Sequence, residues 1–146
     1  MKLKEIFIVI ANHISFINKE KLMDKIIIKP WGKEIWLELN DKYCFKTIFI
    51  NAGHKTSYQY HNYKLETNLL LEGTAEIWLE NERGKIDKRT MLKGDHYTIF
   101  PKRKHRILAI TDIILQEVST PEVDDVIRID DDTNRPDGKI DNEHIK

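Results

Sequence analysis

The sequence predicts an all-β fold, a β-sandwich or jelly-roll barrel made by a single domain. Residues 26–118 consist of short runs rich in β-branched and aromatic residues, separated at regular intervals by turn signals. This region lacks the 3.6-residue apolar repeat of an amphipathic helix. The chain has 146 residues, 40% of them hydrophobic, which is enough to bury one core.

The turn signals divide this region into eight to ten predicted strands. The turns are expected at residues 30–32, 51–53, 72–73, 82–85 and 93–95. The strands are expected at residues 26–28, 34–39, 43–50, 56–61, 68–71, 75–79, 90–92, 97–100, 106–110 and 113–118. Along 34–39, Ile35, Leu37 and Leu39 fall on one face and the residues between them on the other, as in a strand with two different faces.

Residues 1–25 are interpreted as an N-terminal extension of the barrel domain, which covers residues 26–120. The extension contains the apolar run 6–11, which is shorter than the roughly 18 residues of a membrane span and is followed by no small-residue cleavage site. We therefore expect neither a membrane span nor a signal peptide. Two interpretations remain open: an added strand or helix docked on the barrel, or a biological start at Met23.

The C-terminal segment, residues 121–146, is acidic. It contains nine acidic and four basic residues, whereas the whole chain has no net charge. Residues 123–129 are predicted to form one last turn or short helix, and residues 130–146 a loose polar tail with few apolar groups.

Composition also excludes several classes of function. Without a dense basic face we expect no nucleic-acid partner. Six basic residues between 85 and 103 are most simply a solvated face, with an anionic small molecule as the alternative. Cys44 is the single cysteine, so no intrachain disulfide exists, in keeping with a cytoplasmic protein. Its apolar surroundings predict a buried, inert thiol.

The segment between Gly53 and Gly73 carries the strongest functional signal. It reads Gly-x5-Gln-x-His-x4-Glu-x6-Gly. Gln59 and His61 are two residues apart on a predicted strand and so point to the same face, and Glu66 can fold back onto that face after a short turn. A second block begins at Gly94, with His105 eleven positions further on.

Together these four side chains predict a site for one divalent metal. Two imidazoles, one carboxylate and one amide oxygen form a mixed nitrogen and oxygen donor set, which suits zinc first and manganese, iron or nickel as alternatives. The set leaves coordination positions open for water or substrate.

The two blocks resemble the paired motifs of the cupin superfamily. More narrowly, K-P-W-G at 29–32, S-Y-Q-Y-H at 57–61, L-Q-E-V at 115–118 and D-D-V-I-R at 124–128 resemble the type II mannose-6-phosphate isomerase cupin, a domain often fused to mannose-1-phosphate guanylyltransferase. The resemblance covers about residues 29–135. It implies a single-domain cupin jelly-roll barrel in which Gln59, His61, Glu66 and His105 occupy the metal positions.

The resemblance also implies two substrate-contacting cations and shows some departures. Lys64 stands where the family usually has arginine, and Arg106 follows the second-motif histidine; either could meet a sugar phosphate, lysine as a point charge. Asn68 stands where tryptophan is common. Pro101 is displaced by one position, and the glycine expected after it is missing, so we expect a reshaped pocket near Lys102.

Other chemistry-bearing residues have simpler explanations. His54 and His96 lie beside turn glycines and are expected to be exposed, and His13 and His144 fall outside the pattern. The three tryptophans at 31, 36 and 78 are expected to pack in the core or at its rim. Lys64 and Arg106 are each solvated cations on the alternative interpretation.

Three functions remain open at this level. The first is an aldose–ketose isomerase acting on a sugar phosphate or nucleotide sugar in polysaccharide biosynthesis, with no catalytic base assigned. The second is a non-catalytic cupin module that binds a sugar or nucleotide sugar. The third is a metal-dependent oxygenase. Gln59 argues against it, because that class more commonly has histidine at this position. A homodimer is expected, formed through an edge of the barrel.

Overall fold

The computed structural model describes residues 25–144. This part of the chain forms strands and one short 3₁₀ helix, Asp141–Glu143, which confirms the predicted all-β fold. The strands are β1 (Lys25–Lys29), β2 (Gly32–Leu39), β3 (Cys44–Ile50), β4 (Tyr58–Tyr60), β5 (Glu66–Glu72), β6 (Ala75–Glu80), β7 (Ile86–Met91), β8 (His96–Ile99), β9 (His105–Ala109), β10 (Ile113–Ser119) and β11 (Ile127–Asp130). The two interpretations of the N-terminal extension concern residues 1–24, which lie outside the described residues. None of the described helices could cross a membrane.

The strands form two antiparallel sheets. The large sheet has the order β1-β2-β3-β10-β5-β8, and the small sheet has the order β11-β4-β9-β6-β7. Strands that are distant in the chain are therefore direct neighbours, as where β10 lies between β3 and β5. This arrangement brings side chains from both motif blocks to the space between the sheets.

The hydrophobic core lies between the two sheets and is built from alternate residues of each strand. Ile48 of β3 and Leu115 of β10 face Ile77 of β6 and Ile107 of β9, and all four are almost fully buried. This is the period of two expected for strands that bury one face. Cys44 is fully buried, as predicted for an inert thiol.

A tight turn before β2 shows why a glycine is required there. Gly32 has φ 153°, and a Cβ atom at this position would collide with the carbonyl oxygen of Phe49 on the neighbouring strand. The close approach places Trp31 in the core, where it is buried as predicted. A larger residue at position 32 would push β2 away from β3.

The last turn or short helix predicted at 123–129 is correct only at its start, because residues 123–124 lie in a turn and no helix follows. Residues 127–130 form β11, which pairs with β4 through Ile127 and Tyr60 and through Arg128 and Gln59. The strand forms because it completes the edge of the small sheet. Its backbone hydrogen bonds depend on that distant partner, which a local pattern does not reveal.

The loose tail predicted from residue 130 onward is also wrong for its described part. Arg135 is partly buried between Asp131 and Glu143, with nitrogen–oxygen distances of 2.7 and 3.1 Å. Glu143 also accepts a hydrogen bond from Lys29 of β1 at 2.7 Å. The polar composition reflects complementary charges that pair with one another, and such charges can be buried when their hydrogen bonds are satisfied.

Candidate metal centre

Three of the four predicted ligands converge between the sheets. His61 follows β4, Glu66 begins β5, and His105 begins β9. One ligand atom from each lies within 4.8 Å of the others, and all three side chains are buried. The pairing of β4 with β9 places Gln59 opposite His105. This pairing brings the second motif block next to the first.

His61 presents a free nitrogen to this cluster. Its Nδ1 lies against the carbonyl oxygen of Asp125, and since a carbonyl can only accept, Nδ1 carries the proton. Its Nε2 is then a lone-pair donor, 3.6 Å from Glu66 Oε2, with no hydrogen-bond partner among the described residues. A buried nitrogen without a partner is costly unless a ligand satisfies it.

His105 has the same arrangement. Its Nδ1 donates to the carbonyl oxygen of Arg103 at 3.0 Å, which leaves Nε2 unprotonated and 3.8 Å from Glu66 Oε1. Burial lowers the pKa of His105 to about 4, against the opposing effect of Glu66, and burial also lowers the pKa of His61. Both imidazoles are therefore neutral near pH 7. Fixing the tautomer through Nδ1 is how metal-binding histidines are usually oriented.

The loop before Glu66 is held by a residue that the sequence analysis did not single out as functional. The Asp125 carboxylate accepts hydrogen bonds from the backbone N–H groups of Asn62, Tyr63 and Lys64, at 3.0, 2.6 and 3.1 Å. Asp125 thus holds His61 through its carbonyl and the following loop through its side chain. Its only sequence signal was membership of the D-D-V-I-R motif, because 64 residues separate it from His61.

The loop before His105 explains how the chain accommodates the missing glycine. Lys102 has φ 70°, a left-handed conformation that glycine adopts more easily. Its backbone N–H donates to the carbonyl oxygen of His61 at 2.7 Å. The second block is therefore tied to the first despite its altered sequence.

Lys64 lies inside the barrel. It contacts the Glu66 carboxylate and donates to Glu117 at 2.9 Å, with only 3% of its surface exposed. Burial by itself would lower the pKa of Lys64, but the Glu117 and Glu66 carboxylates raise it above its usual value. Burial would likewise raise the pKa of Glu66, but Lys64 and the two histidines hold it well below its usual range.

The charges continue across the inner face of the large sheet. Lys46 lies 3.3 Å from Glu117 and 3.4 Å from Glu34, and Glu34 accepts a hydrogen bond from the Trp36 indole at 2.7 Å. We call the five ionised groups the buried charge cluster: Glu34, Lys46, Lys64, Glu66 and Glu117. Three carboxylates and two ammonium groups give it one net negative charge.

The donor set fits a divalent cation. It offers two neutral imidazole nitrogens and one carboxylate, inside a cluster whose net charge is negative. Gln59 lies on the wall of the same cavity, and its amide oxygen contacts the Ser57 hydroxyl. The structure therefore brings all four predicted ligands to one cavity, three of them into mutual contact.

Arg106 is placed elsewhere. Its neighbours His105 and Ile107 line the cavity, whereas Arg106 does not. Its guanidinium donates to the carbonyl oxygens of Thr56 and Asp130, both at 2.9 Å, and lies over the Tyr58 and Trp78 rings. Arg106 is thus an anchor for β11 on the outer side of the small sheet, away from the other predicted site residues.

The cavity around the cluster measures about 100 Å³. The C-terminal segment supplies part of its wall, including Arg128, Lys139 and His144. His144 Nδ1 and Arg128 Nε are buried and, like His61 Nε2, have no hydrogen-bond partner among the described residues. His144 was expected to lie outside the site and instead lines the cavity, whereas His54 and His96 are exposed as predicted.

A family model described as "Mannose-6-phosphate isomerase C-terminal" matches residues 17–131. Curated relatives include the mannose-1-phosphate guanylyltransferases of Escherichia coli (strain K12) and Salmonella montevideo. They are 27% and 29% identical over 63 residues, which is 43% of this chain. The match covers only 13% of either relative's length.

Solved structures show the same fold at low identity. The capsular polysaccharide assembling protein CapF of Staphylococcus aureus superposes with a TM-score of 0.66 at 15% identity, covering 77% of this chain and 33% of CapF. Oxalate decarboxylase of Bacillus subtilis gives 0.65 at 12% identity, covering 73% of this chain and 30% of the enzyme. KdgF of Halomonas sp. gives 0.56 at 15% identity, covering 64% and 82%. These similarities confirm the predicted single-domain cupin barrel.

Proposed function

This chain belongs to the family of mannose-6-phosphate isomerase C-terminal domains, and on that premise we propose that it is a metal-dependent isomerase of a sugar phosphate. The observation that carries the proposal is the convergence of two neutral histidines on Glu66, with each Nδ1 fixed by a backbone carbonyl. In a purely structural pair the buried nitrogens would normally have hydrogen-bond partners, whereas His61 Nε2 has none among the described residues.

His61, Glu66 and His105 would hold the metal, with Gln59 as the fourth ligand and zinc as the first choice before manganese, iron or nickel. A bound divalent cation supplies polarisation of carbonyl and hydroxyl oxygens, which an aldose–ketose interconversion through an enediol requires. The protein's own residues hold the ligands in place: Asp125 and Arg103 orient the imidazoles, and Lys64 orients Glu66.

Of the two cations predicted to contact the substrate, we retain Lys64. Lys64 lines the cavity, and the outward placement of Arg106 gives it no access to a ligand there. Lys64 would donate to a substrate oxygen while it remains between Glu66 and Glu117. Because ammonium carries three N–H donors, one is free for this contact.

The substrate class rests on the relatives. The curated relatives are named for mannose 1-phosphate, and CapF is named for capsular polysaccharide assembly. A hexose phosphate, or the corresponding nucleotide sugar, in polysaccharide biosynthesis is the substrate these names support. We further propose a cytoplasmic homodimer, for which light scattering should give twice the chain mass of 17.3 kDa.

A non-catalytic sugar-binding module is the second candidate, and the size of the cavity favours it. Sites for small organic ligands usually measure about 300–1,000 Å³, whereas this cavity measures about 100 Å³. A sugar phosphate therefore reaches the metal site only if part of the wall moves, and the residues after β11, 131–144, are the part held mainly by side-chain contacts.

Deuterium exchange distinguishes the two candidates. The metal-loaded protein is incubated in D₂O with a panel of aldose phosphates, and NMR follows both ketose formation and deuterium at C1 of the ketose or C2 of the recovered aldose. The isomerase proposal predicts both signals, lost in His61→Ala with His105→Ala and retained in His54→Ala with His96→Ala. Saturable binding of a sugar ligand by calorimetry, without exchange, would instead support the binding module.

A further inference from the structure

The outer face of the large sheet is mostly apolar, interrupted by Lys33, Thr67 and the hydrogen-bonded pair of Thr47 and Gln116. Six side chains that point away from the core are between 36% and 54% exposed: Ile26, Ile28, Phe45, Leu69, Leu71 and Val118. Ile35, Phe49 and Ile114 lie between them and are partly exposed. We call this surface the outer face. It extends over five adjacent strands, from β1 to β5, and nothing within residues 25–144 covers it.

A mostly apolar face that extends over five strands is a candidate interaction surface. Scattered apolar residues are normal on a protein surface, but a contiguous patch across several strands usually marks an interaction site. Val118 stands opposite both Phe45 and Thr67, and Ile26 stands opposite Ile35, so the apolar residues meet across strand pairs. The partner must therefore present a long apolar surface of its own.

The chain contains such a surface outside the described residues. Nine of the twelve residues in the stretch 6–17 are apolar, and none is formally charged. Charged residues flank it at positions 2, 4 and 5 on one side and 19, 20 and 21 on the other. Nearly all of this stretch precedes the region that matches the family model, which begins at residue 17.

The linker between the apolar stretch and the large sheet is short, so the stretch must stay close to the outer face. Seven residues, 18–24, join the stretch to Lys25, the first residue of β1, and β1 is the edge strand of the same sheet. Fully extended, seven residues reach about 25 Å. Six strands spaced about 4.8 Å apart span about 24 Å, so the stretch reaches any strand of the outer face.

We propose that residues 6–17 dock on the outer face of their own chain and cover it. A tether of this length gives an effective concentration on the order of millimolar, which favours the chain's own segment over a second molecule at ordinary protein concentrations. The segment then serves as a built-in cover for the side of the large sheet opposite the candidate metal centre. A dimer that forms through another surface is compatible with this arrangement.

Cysteine cross-linking in the full chain tests the proposal. Val9→Cys is combined with Val118→Cys on the outer face or, as a matched control, with Thr90→Cys, which is exposed on β7 of the small sheet. The native Cys44 is buried in all of them. After mild oxidation, we expect an intramolecular disulfide in the 9–118 protein and none in the 9–90 protein, read by intact mass and non-reducing electrophoresis.

Three outcomes would overturn the proposal. A 9–118 disulfide formed only between molecules would assign the outer face to a second copy. Equal cross-linking to positions 118 and 90 would show no preferred docking. Hydrogen exchange on the unsubstituted chain gives an independent measurement, in which we expect amides of residues 6–17 to exchange at least about tenfold more slowly than unprotected ones. Unprotected exchange throughout the stretch would contradict docking even if the cysteine variants failed to fold.

Discussion

The two faces of the large sheet have opposite characters. The face turned toward the small sheet carries the buried charge cluster beside the candidate metal centre, whereas the face turned away carries Phe45, Leu69, Val118 and other exposed apolar groups. On β2 the reversal occurs within one strand, where Glu34 is 7% exposed and the adjacent Ile35 is partly exposed. A strand of a simple sandwich would place these residues the other way round.

This reversal places both the candidate site and most of the buried side chains of the large sheet on its inner face. Ionised groups are buried only where they are paired or bind a ligand, so the inner polar face marks the site. The outer face is partly exposed within residues 25–144 and contributes less to their fold. The comparison predicts that substitutions of similar chemistry will differ sharply according to the face they alter.

Removal of one charge on the inner face should have the largest effect on the free energy of unfolding. Glu117→Ala would leave Lys46 and Lys64 buried without their shared carboxylate, and breaking such a pair typically costs about 3–5 kcal/mol. The exposed Glu122 supplies the control, for which we expect a change within about 0.5 kcal/mol. Urea unfolding measures both free energies. Similar values for the two variants would show that the buried charge cluster does not stabilise the fold.

Adjacent leucines on β5 allow a closer comparison of the faces. Leu70 is fully buried and Leu69 is 37% exposed on the outer face. Leu70→Ala should lower the free energy of unfolding by about 2–5 kcal/mol, because it leaves a cavity in the core. Leu69→Ala should lower it by about 1 kcal/mol or less, since the side chain is only partly buried. An equal loss at both positions would mean that the outer face is as tightly packed as the core.

Acid should lower the free energy of unfolding, because Glu34 on the inner face becomes protonated. Burial by itself would raise the pKa of Glu34, but Lys46, Lys29 and the Trp36 indole lower it to about 2. A carboxyl group with a lowered pKa stabilises the fold above its unfolded pKa of about 4.3, and this stabilisation is lost as the pH falls toward 2. The loss should be on the order of 2–3 kcal/mol.

The variant Glu34→Gln checks this assignment. Its free energy of unfolding should depend less steeply on pH between about 5 and 2 than that of the unsubstituted protein. The pH profile is the relevant comparison, because the substitution also changes stability at neutral pH. Parallel profiles would show that groups other than Glu34 dominate acid unfolding.

Local patterns in the sequence were sufficient for part of this structure. The spacing of Gln59, His61 and Glu66 identified side chains of one cavity, because a two-residue spacing fixes the face and the turn to Glu66 is short; His61 and Glu66 do meet, and Gln59 lines the wall. The turn signals likewise located most strands. The role of His105 required the family resemblance, since the pairing of β4 with β9 is not encoded locally.

The remaining features depend on register between distant strands. Lys46, Glu117 and Lys64 become neighbours only because β10 lies between β3 and β5. Asp125 meets the loop after His61 only once the C-terminal segment folds back over the barrel. In sequence, each of these residues is indistinguishable from a solvated charge, which is how the segment beyond residue 130 was misread.

Elemental analysis tests the central claim most directly. The purified full chain should contain close to one divalent metal per molecule, and His61→Ala with His105→Ala should abolish it. His54→Ala with His96→Ala also removes two imidazoles, but from exposed positions, and should leave the metal content unchanged. Metal-free protein after reconstitution, or equal metal in both double variants, would contradict a metal centre between the sheets.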